Sequence, residues 1–197
     1  MKLNKTFFTI CLILSVAAPS WAQGGRGNRS GARNGGGNCL LLQTSAATQP
    51  LSTAEAEDLM FLREEEKLAR DVYQALFAAW GVRIFDNIAS AEQRHFDAVG
   101  TLITRYGLKD PAQPTAGIFT NPELQRLYVD LIAKGSLSLL DAMEVGVAIE
   151  EKDIEDLKAA MAITKNKDVL RVYSNLLNGS LNHLAAFDSH VETIRAR

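Results

Sequence analysis

The chain of 197 residues is poor in cysteine and contains only Cys11 and Cys39. Cys11 lies inside an apolar run, residues 7–18, in a segment that we expect to be cleaved off. Cys39 is then left alone, which excludes an intramolecular disulfide. Because Cys11 is not at the end of the run, the sequence does not support a lipid-attached cysteine at the cleavage point.

Long hydrophobic runs are also missing. The run at residues 7–18 is shorter than the ~20 residues that a membrane-spanning helix needs. It follows a short basic start and precedes Ser20-Trp21-Ala22, whose small residues stand two apart as signal peptidase requires. We therefore predict a signal peptide over residues 1–22 and a secreted or periplasmic protein with no membrane span after cleavage.

Acidic residues are absent before Glu55. Residues 24–38 are rich in glycine, asparagine and arginine, a composition that buries too little apolar surface to fold, so residues 23–50 are predicted to be a disordered linker. Five of the 21 basic residues precede Glu55, which leaves 16 basic against 23 acidic residues from there on, a formal charge of −7. This balance argues against nucleic acid as a partner.

Strand patterns are missing too, because no segment alternates polar and apolar residues with a period of two. Apolar residues recur instead at steps of three and four in four long segments and a short one. The predicted helices run from Thr53 to Gly81, from about Asn87 to Gly107, from Pro122 to Lys134, from Ser136 or Ser138 to Thr164, and onward from Asp168 as a cap. Residues 51–197 are therefore predicted to be an all-α antiparallel four-helix bundle, with the short helix in the long connection between main helices 2 and 3.

Polar residues interrupt the apolar stripe of every long helix. They are Glu66, then Glu92 with His95, then Glu150, and finally His183. A buried carboxylate is unfavourable unless it is paired or bound to a metal. In one interpretation the acids pair with Arg70, Arg94 and Lys152 in a non-catalytic structural or interaction module without metal. In the other, one shared cation explains all four helices at once, and carboxylates with imidazoles suit iron or manganese.

Three of the long helices carry short motifs around these residues. Glu66 is followed by Ala69-Arg70 and then Tyr73, Glu92-Gln93-Arg94-His95 looks like a Glu-x-x-His motif, and Glu150 has a second carboxylate, Asp153, three residues on. These motifs resemble the ligand helices of rubrerythrins. The longer sequence segments at residues 65–71 and 179–184 resemble an uncharacterised ferritin-like domain family of bacteria and archaea. The resemblance covers about residues 51–192. It implies a ferritin-like bundle with a mono- or dinuclear iron or manganese site and oxidase- or peroxidase-type redox activity.

The last helix departs from the family pattern, because Ser180 stands where the resemblance implies a glutamate before His183. Asp153 or Glu151 could supply the missing charge; otherwise the site holds one metal ion or a weak second one. The expected ligands are thus Glu66, Glu92, His95, Glu150, Asp153 and His183. In the implied arrangement Glu66 and Glu150 bridge the ions.

Supporting roles are expected for two further residues. Arg70 would donate to a ligand carboxylate. Tyr73 would form a hydrogen bond near the site or act as an electron relay, or else it is an ordinary core aromatic. His190 lies two turns beyond His183 and is interpreted as a residue at the end of the bundle. Two cysteines cannot form a rubredoxin-type module, so an electron donor would be external. A homodimer is compatible with the sequence, and nothing specifies an iron-storage cage.

Overall fold

The computed structural model describes residues 49–197, which form five α-helices and contain no strand. The helices are α1 (Thr53–Trp80), α2 (Arg83–Arg105), α3 (Pro122–Gly135), α4 (Leu139–Ile163) and α5 (Lys167–Arg195). The predicted all-helical fold, with a short helix third in order, is confirmed. The predicted signal peptide and residues 23–48 of the predicted linker lie outside the described residues. Within residues 49–197, no helix has the length and apolar character needed to cross a membrane.

The four long helices pack side by side as a bundle, in which α1 and α5 each contact both α2 and α4. Helix directions follow from paired contacts: Glu55 early in α1 meets Thr164 after the end of α4, whereas Tyr73 late in α1 meets Gly146 early in α4. Contacts between the other neighbouring helices also pair residues early in one helix with residues late in the other. Each long helix is therefore antiparallel to its neighbours, and the connection from α2 to α4, which includes α3, joins two parallel helices across the bundle.

Polar caps fix three helix starts close to the predicted positions. Ser52 and Glu55 form a capping box at the start of α1, and the Asn121 side chain accepts from the first amides of α3. Ser138 accepts from the Asp141 amide at the start of α4. Gly81 ends α1 with φ at 67°, a left-handed conformation that glycine adopts without strain.

Two helix starts differ from the prediction. Helix α2 begins at Arg83 rather than near Asn87, because Ile84 and Phe85 already pack into the core and no polar side chain caps the helix. Helix α5 begins at Lys167 with Asn166 at its cap. Asp168, predicted to be the cap, instead accepts hydrogen bonds from Arg105 at the end of α2 and from Tyr106, the next residue.

The core has two apolar clusters, with a polar layer between them. One cluster contains Val72, Phe85, Ile149 and Phe187, and the other contains Leu62, Val99, Leu157 and Leu176, with further buried neighbours in each. Along every long helix the predicted polar residues fall between the members of these two clusters. The acids and imidazoles of four helices therefore lie at one depth in the bundle.

Buried ionic side chains of α1 hold the connection between α2 and α4. Lys67 Nζ donates to Asp71 at 2.6 Å and to the Thr115 carbonyl at 2.9 Å. Asp71 also accepts from the Gly117 amide at 2.9 Å, and Glu64 accepts from the Thr120 amide at 2.6 Å. The connection thus covers the side of α1 that faces away from the other long helices.

Candidate metal centre

All six residues that the sequence predicts as ligands lie in the polar layer. They are Glu66 from α1, Glu92 and His95 from α2, Glu150 and Asp153 from α4, and His183 from α5. The four acids are buried, with at most 6% of their surface exposed. The two imidazole side chains are 13–14% exposed, so the layer is closest to solvent beside α2 and α5.

Glu92 lies between the two histidines. His95 Nδ1 is 2.8 Å from Glu92 Oε2 and 3.4 Å from Glu66 Oε2. On the other side, His183 Nδ1 is 2.7 Å from Glu92 Oε1 and 3.5 Å from Glu150 Oε2. Two groups of donors result, Glu66–Glu92–His95 and Glu92–Glu150–His183, and within each group the donor atoms lie within 4.8 Å of one another.

The carboxylate that the two groups share is Glu92. Glu66 and Glu150, for which the family resemblance implies the bridging position, each belong to one group only. The reason is the order of helices around the bundle: α2 borders both α1 and α5, so Glu92 lies near Glu66 of α1 on one side and His183 of α5 on the other. Periodicity along one helix does not reveal which helices are neighbours.

Two hydroxyl groups fix carboxylates of the layer. Tyr73 donates to Glu150 Oε1 at 2.7 Å, which is the first of the roles proposed for it. The Ser180 hydroxyl contacts Asp153 Oδ2 and lies 2.9 Å from the Leu176 carbonyl. Asp153 thus fills the space opposite Ser180, whereas Glu151 is exposed on the outside of α4.

Several buried polar atoms of the layer have no hydrogen-bond partner among residues 49–197. They are Glu66 Oε1, Glu92 Oε1, Asp153 Oδ1 and His183 Nδ1. The last of these is close to Glu92 Oε1 but is not aligned for a hydrogen bond. An unsatisfied buried polar group costs ~1–3 kcal/mol. The 2.7 Å approach of His183 Nδ1 to Glu92 Oε1 offsets part of this cost, and a cation bound among these atoms would remove the rest. Carboxylate oxygens with imidazole nitrogens fit such an ion.

The cations named in the metal-free interpretation are engaged elsewhere. Arg70 binds Asp71 and Gln93, so its predicted contact with a ligand carboxylate is wrong. Arg94 is exposed and donates to a backbone carbonyl of its own helix, and Lys152 pairs with acids of its own helix. None of the three forms an ion pair with the acids of the candidate centre among the described residues.

Protons offset part of the negative charge of the layer. Burial alone would raise the pKa of Glu92. Its contacts with His183 and His95 have the larger effect and lower this pKa to about 2. Burial lowers the pKa of His183, and contacts with Glu150 and Glu92 reverse the shift and raise it to about 9. Burial raises the pKa of Asp153 to about 7. Burial together with the negative charge of Glu92 raises the pKa of Glu150 to about 7. The layer therefore strongly favours positive charge.

Comparisons with known proteins identify the family of this chain. Residues 55–196 match the family described as an uncharacterized protein domain, DUF2202. The chain belongs to the DUF2202 family. This DUF2202 chain is 47% identical over 145 residues to the uncharacterized protein MJ0754 of Methanocaldococcus jannaschii. The aligned residues cover 73% of this chain and 78% of that protein.

A solved structure is similar as well, the crystal structure of hypothetical protein MJ0754 from Methanococcus jannaschii. Its TM-score with this DUF2202 chain is 0.73 at 46% identity, over 74% of this chain and 84% of that one. The predicted membership of an uncharacterised family is thereby confirmed. The helical bundle described above is shared with this relative over most of both chains.

The sequence did not predict the burial of Glu65, the acidic residue that precedes Glu66. Glu65 belongs to a run of five charged residues, 63–67, which resembles a solvent-facing segment but is buried throughout. The burial arises because α1 contacts α2, α3 and α4. The i, i+4 pair Lys67–Asp71 is a weak local signal, since such pairs are also common on exposed helices. His190 is exposed and outside the centre, as predicted.

Proposed function

We propose that this DUF2202 chain is a ferritin-like protein that binds iron or manganese at the polar layer. One observation carries the proposal: four buried donor atoms from α1, α2, α4 and α5 lie at the same depth without hydrogen-bond partners in the described chain. Oxygen donors with two imidazoles favour iron or manganese over metals that prefer thiolates. No cysteine occurs in residues 49–197 to compete as a ligand.

Two metal ions fit the donors better than one. Glu66 and His95 would hold the first ion and Glu150 and His183 the second, with Glu92 shared between them. Asp153 brings the number of carboxylates to four. That number balances two divalent ions, since about four negative charges are needed for neutrality. Asp153 thus supplies the negative charge that a glutamate in place of Ser180 would have supplied.

The ferritin-like assignment is supported by the direction and order of the helices. Ferritin-like carboxylate proteins combine one long crossover with glutamates and Glu-x-x-His motifs that project into the bundle. This chain has the crossover between α2 and α4 and one complete Glu-x-x-His motif, Glu92 to His95. Such a metal centre supplies oxidase- or peroxidase-type redox chemistry when it is loaded. The residues of the chain hold and orient the donors: Tyr73 fixes Glu150, and Ser180 fixes Asp153.

Export and partners complete the proposal. Residues 1–22 would direct the protein out of the cytoplasm, so the mature chain would begin at Gln23. The electron donor would be a separate protein or small molecule, and the bundle would act alone or as a homodimer. N-terminal sequencing of the protein from a secreted or periplasmic fraction tests the export step.

The metal content of the purified protein tests the central proposal. We expect wild-type protein from cells supplied with iron and manganese to retain metal, and Glu92→Gln to lose most of it because both groups share this carboxylate. Glu151→Gln removes the same charge from an exposed position of α4 and should keep the metal. His183→Gln changes only the Glu92–Glu150–His183 group, so this variant should keep about half of the metal. Metal-free wild-type protein, or full retention by Glu92→Gln, would contradict the proposal and favour the structural module.

A further inference from the structure

Arg70 on α1 contacts the residues that directly follow two predicted ligands on α2. Its Nη1 atom donates to Gln93 Oε1 at 2.7 Å, and its guanidinium carbon lies 4.8 Å from the centre of the Phe96 ring. Gln93 follows Glu92 in the chain, and Phe96 follows His95. Arg70 therefore contacts the same turn of α2 that carries both donors of that helix.

The guanidinium group of Arg70 is itself held by Asp71. Asp71 Oδ1 accepts from Arg70 Nε at 3.0 Å and from Nη2 at 2.7 Å. Asp71 is buried, and its Oδ2 accepts from Lys67 Nζ at 2.6 Å and from the Gly117 amide at 2.9 Å. Because a guanidinium group is planar and its N–H groups have fixed directions, two bonds to an anchored carboxylate fix the direction in which Nη1 reaches Gln93.

Glu66 is held less firmly than Glu150 by its own contacts. Glu66 Oε1 has no hydrogen-bond partner among residues 49–197, and Glu66 Oε2 lies 3.4 Å from His95 Nδ1. In the other group, the Tyr73 hydroxyl fixes Glu150. The donors of a metal site must be held within about 0.5 Å of their working positions. The placement of Glu66 relative to the donors of α2 therefore depends on how α1 and α2 are held together.

We infer that Arg70 is a positioning residue for the Glu66–Glu92–His95 group. It holds the turn of α2 that carries two of the donors at a fixed place beside α1, and it acts through Gln93 rather than on a donor itself. The second group depends on Arg70 less, because its other two donors come from α4 and α5. The inference rests on the proposed metal centre.

Manganese binding by one group at a time tests this inference. In a His183→Gln background only the Glu66–Glu92–His95 group keeps all its donors, and in a His95→Gln background only the other group does. Chelator-treated full-length protein is titrated with Mn²⁺ under anaerobic conditions, and the EPR signal of free Mn²⁺ gives the dissociation constant. The same titration of protein with both histidines gives the two constants together.

Gln93→Met removes the acceptor for Arg70 and keeps the length of the side chain. In the His183→Gln background we expect it to weaken Mn²⁺ binding by about tenfold, the lower end of the range for residues that support metal ligands. In the His95→Gln background the change should be much smaller, and with both histidines present only one of the two ions should bind more weakly. Gln93 is half-buried, so this variant should fold even if a variant of Arg70 does not.

Variants of Arg70 separate the geometry of the guanidinium group from its charge. Adding Gln93→Met to Arg70→Met should weaken binding no further than Arg70→Met alone, since the bond between the two residues is already lost. Arg70→Lys keeps the positive charge but lacks the planar fork that binds Asp71 and Gln93 together, so it should not restore the affinity. The control is Arg94→Met, which removes an equal charge from an exposed position beside Gln93 and should bind Mn²⁺ as its background does.

Three outcomes would overturn the inference. Unchanged affinity of Gln93→Met in the His183→Gln background would dismiss the role of Arg70 and leave the centre intact. Equal weakening of both groups by Gln93→Met would also dismiss it, because a purely structural contact between α1 and α2 does not favour one group. Failure of the wild-type protein to bind Mn²⁺, and Fe²⁺ in a parallel anaerobic titration, would remove the proposed function and this inference together.

Discussion

Tyr73 on α1 and Glu150 on α4 are 77 residues apart in the chain and share a hydrogen bond of 2.7 Å between the phenolic hydroxyl and Oε1. Both side chains are buried. Burial and the charge of Glu150 raise the pKa of Tyr73, so the hydroxyl keeps its proton and remains the donor. One oxygen of Glu150 is thereby fixed, and the other lies on the side of His183.

Removing this donor should destabilise the protein. Tyr73→Phe leaves a buried carboxylate oxygen without its partner, and we expect the free energy of unfolding to fall by ~1–3 kcal/mol in urea titrations. Tyr173→Phe is the matched control, because the Tyr173 hydroxyl is buried without a hydrogen-bond partner in the described chain and its loss should cost little. Equal losses in the two variants would show that the bond to Glu150 contributes nothing.

Gly179 leaves room for the imidazole of His95. A Cβ atom at this position would lie 2.6 Å from Cε1 and from Nε2 of His95, so the ring would have to shift from its present position beside Glu92 and Glu66. We expect Gly179→Ala to lower the unfolding free energy by ~1–3 kcal/mol, as overpacking does, and to weaken metal binding. In a His95→Ala background the same change should stabilise by up to ~1 kcal/mol, because alanine favours a helix more than glycine. A cost that persists in that background would locate the clash elsewhere.

Asp71 is the buried anchor of the connection between α2 and α4. It accepts from Lys67 at 2.6 Å, from Arg70 at 2.7 Å and from the Gly117 amide at 2.9 Å. Asp71→Asn would leave the buried lysine without its counter-charge, and we expect a loss of ~3–5 kcal/mol in unfolding free energy.

The control for this prediction is Asp86→Asn, which breaks an exposed pair with Arg83 at 3.8 Å. A surface ion pair contributes ~0–1 kcal/mol, so this variant should unfold almost like wild type. A small effect of Asp71→Asn, comparable with that of the control, would mean that the connection does not depend on the buried charge.

Glu55 makes stability depend on acidic pH. Burial raises its pKa, but hydrogen bonds from Thr164, Ser52 and the Lys165 amide outweigh burial and lower it to about 2 from 4.5. Because the folded-state pKa is below the unfolded value, the stabilisation is complete above about pH 4.5 and is lost as the pH falls toward 2.

Urea titrations of wild type and Glu55→Gln from pH 7 to pH 2.5 measure this contribution. We expect the variant to be less stable by ~1.5–3 kcal/mol at pH 7, the range for hydrogen bonds to a charged group, and the difference to shrink through the acidic range. Glu57→Gln, exposed on the same helix, should show no such trend. A difference that stays constant with pH would refute the role of the Glu55 charge.

The sequence is sufficient to predict the polar layer because each of its members breaks an apolar stripe of known period. Glu66 and Glu150 stand out in this way, and so do His95 and His183. A periodic stripe fixes which side of a helix a residue occupies and how far along the axis it lies. Agreement in depth across four helices could therefore be predicted before any contact was known.

Contacts between helices and loops could not be predicted in the same way. The shared position of Glu92 depends on α2 lying between α1 and α5, and the burial of Glu65 depends on α1 being covered by its neighbours and by the connection. The charged run at residues 63–67 contains no sequence pattern that indicates its burial by other parts of the chain. The start of α2 was missed for a similar reason, since Phe85 is placed by packing rather than by a polar cap.

Anomalous diffraction from crystals grown with Mn²⁺, measured at two wavelengths around the manganese absorption edge, tests the central claim most directly. We expect two peaks within the bundle, one between Glu92, Glu66 and His95 and one between Glu92, Glu150 and His183. Anomalous density confined to the surface, or a polar layer whose acids and imidazoles contact only each other in the presence of the metal, would contradict this claim.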